Sequence, residues 1–224
     1  MSPQLTAFLL ASAAALATLL GWAAVAAKRT WTPRATGIML LIVAAAMVIV
    51  SAGELLPTAL ISSSQPWWVV LWVIIGGSLV VGVRWVSDRV FPSLSRAASS
   101  AAMVAVAISV HNIPEGSATV AATFISVQAG VITAIAIGLH NIPEGIAISS
   151  TVIAAGGTRM RALFFTMVAT AGEIIGILIT LSFEDILTQD RMSGLLAAVA
   201  GVMIALGLSE IGPSGLRELR RSRA

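Results

Sequence analysis

Cysteine is absent from the 224 residues. That excludes disulfides and thiolate metal ligands, and it leaves the redox compartment open. Charge is scarce too: Asp, Glu, Lys and Arg make up 10% of the chain, against about 25% in an ordinary soluble domain. Histidine occurs only twice, at His111 and His140, so a histidine-rich segment is excluded. What remains is apolar. Hydrophobic residues reach 58% and the mean hydropathy is +0.98, more than a core of this size could bury, so the chain reads as a membrane protein.

A membrane helix needs about 20 mostly apolar residues. Charge-free stretches cover 5–27, 35–53, 67–83, 116–139 and 192–209. When isolated polar residues are tolerated, the reading becomes seven spans at 4–27, 36–60, 67–86, 99–126, 129–155, 161–183 and 192–211, with a short tail and a tight turn between the fourth and fifth. The fold class is all-α integral membrane protein, a single polytopic domain over 1–224. The first run has no basic residue ahead of it and is longer than a signal-peptide core, so it counts as a span. Trp67, Trp68 and Trp85 fall near span ends and read as interfacial anchors.

Basic residues orient the array. Lys28, Arg29, Arg34, Arg84, Arg89, Arg96, Arg159, Arg161, Arg217, Arg220, Arg221 and Arg223 fall in connections on one side, and only Arg191 falls on the other. Such asymmetry places the basic side in the cytoplasm, the N-terminus outside and the basic tail inside. A sequence pI near 11 could suggest nucleic acid, but these residues are dispersed over membrane loops without interleaved aromatics, so no nucleic-acid partner is expected.

Half of the acidic residues lie within spans: Glu54, Glu115, Glu144, Glu173 and Glu210. A carboxylate at mid-bilayer costs about 3 kcal/mol even on lenient scales, so it must be protonated, hydrated or paired with a cation. No Lys or Arg stands beside them at that depth, so the cation has to come from outside the chain. The hexapeptide HNIPEG, at His111 to Gly116 and again at His140 to Gly145, shows how it would be held. His and Glu four residues apart project from one helix face and can converge on one ion. Asn112 and Asn141 point about a quarter turn away. Pro114 and Pro143 cannot donate to Val110 and Leu139, so both helices are expected to bend there. Imidazole with carboxylate favours Zn²⁺ and also suits Fe²⁺, Mn²⁺ or Co²⁺.

The two copies occupy consecutive spans and so run in opposite directions. A second pair does the same: Met47 to Pro57 and Met203 to Pro213 both read Met, six residues, Glu, two residues, Pro. An inverted repeat around a central helix pair, with polar broken helices at mid-membrane, marks secondary transporters.

With HNIPEG in successive spans, GELLP ending the second, AGEIIG in the sixth and AGVM in the seventh, the chain resembles the zinc–iron permease (ZIP) metal transporters, in their bacterial branch of broad metal range. The resemblance implies a binuclear site and no enzyme activity. One metal would be held by His111, Glu115, His140 and Glu144 with Met47 as a soft ligand. The other would be held by Asn112, Asn141 and Glu173, with Glu115 and Glu144 bridging. Glu54 and Glu210 would lie at entrance and exit, and Met203 would serve packing. The family motif around Glu173 usually carries proline where Ile174 stands. The resemblance implies eight spans and a homodimer; here the eighth span is expected to be absent and span one to lack its partner. Alternating access would carry the metal into the cytoplasm, with protons competing for the ligands. Two other readings compete: a transport-inactive metal-binding scaffold or sensor, and a di-metal intramembrane hydrolase. An HExxH protease is excluded because its spacing does not occur.

Overall fold

In the computed structural model, the description covers residues 2–27, 32–90, 98–154, 156–183 and 188–222, and within these all side chains except those of 83–84, 86–90, 98–111 and 154. The side chains of His111, Arg84 and Arg89, and all of Lys28, Arg29, Arg96 and Arg223, therefore lie outside the described residues.

Among the described residues the chain forms seven rods and no strand. They are α1 (Pro3–Ala27), a rod of α2 (Pro33–Val50) and α3 (Leu56–Ser62), α4 (Pro66–Val90), α5 (Ala98–Ile125), α6 (Val127–Ala154), α7 (Arg159–Ser182), and a rod of α8 (Gln189–Leu206) and α9 (Gly212–Arg221). By length and composition five of these can cross a membrane, while the apolar part of α4, Pro66–Gly82, is shorter. The protein is a multi-pass helical membrane protein.

The ends of the rods have local causes. Thr32, Thr158 and Thr188 each accept a backbone N–H three residues on, capping α2, α7 and α8. The expected tight turn between α5 and α6 is one residue, Ser126, whose hydroxyl accepts the Ala129 N–H at 3.1 Å. Gly130 completes it, because a Cβ there would stand 2.1 Å from the Thr123 hydroxyl.

The helix assignment runs unbroken through Pro114 and Pro143 in α5 and α6. Departures from α geometry occur in the other repeat, where a π-turn at Ser51–Leu55 joins α2 to α3 and another at Gly207–Ile211 joins α8 to α9. Each π-turn holds the glutamate of its motif and ends two residues before the proline, Pro57 or Pro213. The prolines sit at helix starts, where a missing N–H is harmless. The last rod also continues through α9, beyond the expected end at 211.

The rods sort into two bundles. α1, α5, α6 and α7 pack on one another, while α2–α3, α4 and α8–α9 form the second group; the two meet along α2 with α6 and α5 with α8. Glycines set the close approaches. A Cβ on Gly145 would stand 1.9 Å from the Thr18 carbonyl oxygen of α1, and one on Gly21 would stand 2.3 Å from that of Ile142. The same device joins α5 to α7, where Gly116 meets the Glu173 carbonyl at 2.0 Å and Gly176 that of Ile113 at 1.9 Å. Only residues without Cβ allow backbones this near.

These contacts correct one expectation. Span one has a repeat partner, α7: Thr18 and Gly21 do for α6 what Glu173 and Gly176 do for α5. The rod α2–α3 matches α8–α9. It is α4 that has no counterpart among the described residues.

Candidate metal site

The hexapeptides lie midway along the two longest helices, inside the first bundle. From Val127 to His140 is thirteen residues, about 20 Å of helix. There Glu115, His140 and Glu144 come together: each offers an atom within 4.8 Å of the others, and all three are buried. His140 Nε2 lies 3.4 Å from Glu115 Oε1 and 4.0 Å from Glu144 Oε2. Two ligands at about 2.1 Å from a tetrahedral cation are about 3.4 Å apart, so the spacing matches a shared ion with little adjustment. No Lys or Arg occurs between Arg96 and Arg159. His140 Nδ1 is buried and without a hydrogen-bond partner.

Asn141 and Glu173 form a second grouping beside the first. Asn141 Nδ2 donates to the Glu173 carboxylate, at 2.9 and 3.2 Å, and to the Ala14 carbonyl at 2.9 Å. Its Oδ1, buried without a partner, is left for something else to use. Asn112 is fully buried and lies beside Glu144. Glu115, Glu144 and Glu173 are near enough to feel each other's charge. Among the described residues, three carboxylates gathered in a buried site with the His140 imidazole make a strongly cation-seeking centre.

Of the eight residues that sequence reasoning singled out, six meet here: Asn112, Glu115, His140, Asn141, Glu144 and Glu173. His111, one turn before Glu115 on α5, has its side chain outside the described residues. Met47 is fully buried on α2, in the second bundle, where α2 crosses Gly207 at the start of the second π-turn. It belongs to the apolar core shared by both bundles, which also holds Ala118, Ile137 and Ala147. Met203 lies in the same core, as expected for packing.

Glu54 and Glu210 sit one in each π-turn. Glu54 Oε1 accepts hydrogen bonds from Thr58 at 3.3 Å and Thr133 of α6 at 3.4 Å. At Glu210 it is the backbone carbonyl that accepts, from Ser214 at 2.7 Å. Among the tryptophans, Trp68 does more than anchor. Its Nε1 donates to the Asp190 carbonyl at 2.9 Å, while Ser64 donates its N–H and hydroxyl to the Asp190 carboxylate at 2.8 and 2.9 Å, pinning the α3–α4 link to the start of α8.

Sequence reasoning missed the surroundings of the site. Thr18, the Ala14 carbonyl and Thr133 were not singled out. A signal for Thr18 exists in the parallel of Thr18-Leu-Leu-Gly21 with Glu173-Ile-Ile-Gly176.

The fold and site define a class: multi-pass helical membrane proteins built on an inverted repeat around a buried His/Glu centre. The family described as ZIP Zinc transporter matches residues 87–223, and the chain belongs to that family. The zinc transporter ZupT of Escherichia fergusonii is 38% identical over 115 residues, covering 51% of this chain and 45% of that protein. The proteins of the same name from Salmonella newport and Salmonella heidelberg match to the same extent. The matched stretch thus spans about half the length of these relatives. Membership in a transporter family sets the hydrolase reading aside.

Proposed function

We propose that the chain carries a divalent transition metal across a cell membrane, zinc foremost, with Fe²⁺, Mn²⁺ and Co²⁺ as further cargo. The carrying observation is the buried meeting of Glu115, His140 and Glu144 at mid-helix. The zinc named in the relatives' titles agrees with this donor set. Glu115, His140 and Glu144, joined by His111 and Met47, hold one ion; Asn112, Asn141 and Glu173 hold a second, with Glu115 and Glu144 shared. A metal displaces protons from these groups, because only the deprotonated forms bind.

The division into bundles supports alternating access. Nearly all candidate ligands belong to the first bundle and only Met47 to the second, so movement of one bundle along the other carries the ion past the seam. Arg34, Arg159, Arg161, Arg217, Arg220 and Arg221 mark one end, which the positive-inside rule makes cytoplasmic. Metal moves toward that end, the N-terminus lies outside, and the chain works as a homodimer.

The test is Zn²⁺ flux into liposomes carrying the 224-residue chain and a trapped metal-sensitive dye, beside Glu144→Ala. Wild-type flux with at least a tenfold loss in the variant is expected, the size of losing a metal ligand. Zinc binding without flux in folded wild-type protein would instead mark a metal-binding scaffold.

A further inference from the structure

We propose that the outward face of α9, together with Arg34 of α2, docks the anionic headgroups of the lipid leaflet at the basic end. The inference goes beyond the transport reading and does not rest on it. α8, the second π-turn and α9 form one rod of 33 residues from Gln189 to Arg221. Its first turn is tied to the α3–α4 link, where Ser64 and Trp68 donate to Asp190. Arg217 comes twenty-eight residues after Gln189, about 42 Å along the helix. A bilayer with its headgroups is about 40–45 Å thick, and the usual tilt of about 20° shortens the rod's reach by only a few ångströms. Arg217 and the turn that follows it therefore stand at headgroup depth.

The helix is mounted with one face turned out. Gly215 of α9 crosses Gly37 of α2 so closely that a Cβ on Gly215 would stand 2.9 Å from the Gly37 carbonyl oxygen and one on Gly37 would stand 2.8 Å from that of Gly215, with Leu219 packed alongside. At about 100° per residue, Arg217, Arg220 and Arg221 fall within an arc of about 100° on the side opposite Gly215, and all three are exposed. Leu216, half exposed at the edge of that arc, offers an apolar contact at the boundary between headgroups and acyl chains. Arg34 is exposed in the first turn of α2, one turn before Gly37, and so lies beside the end of α9. Against these four arginines α2 and α9 hold one acidic residue, Glu218.

Topology asks only that basic residues gather on one side of the membrane. It does not ask for a helix, a rigid mount or a shared face, and here all three occur. The donors suit phosphate, because a guanidinium carries five N–H groups and grips phosphate in bidentate fashion. Arg217 gives one donor to the Ser214 hydroxyl at 2.7 Å and Arg221 gives one to Glu218 at 3.0 Å, which leaves others for a headgroup. Since α9 is continuous with α8 and clamped to α2, lipid bound there holds the second bundle at a fixed depth.

The full chain in detergent micelles is titrated with phosphatidylglycerol or phosphatidylcholine, and retained lipid is counted by native mass spectrometry. Wild type should hold phosphatidylglycerol at least tenfold more tightly. Arg217→Gln/Arg220→Gln should bring the two lipids near parity, since each arginine close to an anionic surface contributes a factor of about five. The charge-matched pair Arg159→Gln/Arg161→Gln, in the first bundle at the same end, should stay within about twofold of wild type, because distant exposed charges are screened. Arg217→Lys/Arg220→Lys keeps the charge, so recovery in the lysine pair shows that the glutamine pair lost headgroup binding and not its fold. Equal retention in wild type and the first glutamine pair would overturn the docking surface. An equal loss in both glutamine pairs would overturn it too, by reducing the effect to net charge. Inorganic phosphate, set against chloride at equal ionic strength, separates the sources: phosphatidylglycerol that stays bound supports a lipid surface, and phosphatidylglycerol stripped by phosphate alone overturns it in favour of a soluble anion.

Discussion

The two copies of HNIPEG are identical in sequence and different in circumstance. The first, on α5, lies against α7, where Gly116 presses on the Glu173 carbonyl. The second, on α6, lies against α1, where Gly145 presses on the carbonyl of Thr18. The backbone packing is the same device twice, yet one partner position bears a carboxylate and the other a hydroxyl. The Glu173 carboxylate also reaches across to Asn141 of the other copy, whereas the Thr18 hydroxyl bonds within its own helix to the Ala15 carbonyl at 2.8 Å. A doubled motif thus builds one centre with unequal halves. The lesson is that the chemistry of a repeat is set by what packs on it as much as by the repeat.

That comparison can be broken most forcefully at the glycines. Gly116→Ala and Gly145→Ala each drive a Cβ into a backbone carbonyl that cannot swing away. Each should lower stability by about 3 kcal/mol, the upper end of ordinary overpacking, as seen in thermal unfolding in detergent. A marked difference between the two would show that the interfaces are not equivalent after all. Next comes the unequal pair. Glu173→Gln should weaken zinc binding by about 10- to 100-fold, and Thr18→Val should leave it within about twofold, since a hydroxyl satisfied by its own helix adds little; calorimetric titration of the detergent-solubilised chain decides. Thr18→Glu sharpens the comparison by restoring symmetry. It should destabilise the metal-free chain by about 3 kcal/mol and enlarge the melting-temperature rise on adding zinc, and an unchanged zinc response would mean the α1 side does not face the ions. Smaller still, Asn141→Ala removes the donor to Glu173 and to the Ala14 carbonyl and should cost about 1–2 kcal/mol of stability. The least effect belongs to Gly53→Ala, within about 1 kcal/mol of wild type, because nothing crowds that position.

Much of the fold could be read from the chain because membrane helices announce themselves locally. The seven rods follow the apolar runs, and the one-residue turn at Ser126 follows from two apolar segments meeting with no loop between them. The candidate centre could be read for a related reason: His140 and Glu144 share a face through helix geometry alone, and a carboxylate in an apolar run demands an explanation wherever it falls. The pairing of rods was less visible. Span one was expected to lack a partner because seven spans were set against an eight-span pattern; its likeness to α7 is hard to see, since Thr18-Leu-Leu-Gly21 and Glu173-Ile-Ile-Gly176 agree only in apolar type and one glycine. The π-turns were not expected, because nothing in the local sequence distinguishes a π-turn from an α-turn. They fall at Ser51–Leu55 and Gly207–Ile211.

By itself, then, the sequence determined that the chain spans a membrane, that its middle repeats with inverted direction, and that buried glutamates and a histidine call for a cation. Those conclusions need only helix periodicity and the cost of charge in an apolar medium. Tertiary structure alone decided that α1 pairs with α7 in the repeat, that Asn141 holds Glu173, that Met47 stands in a different bundle from Glu115, His140 and Glu144, and that Glu54 meets Thr133 across the seam. Each of these depends on which helices approach closely. That is governed by glycines meeting backbone carbonyls far away in the chain, and such a match has no local signature.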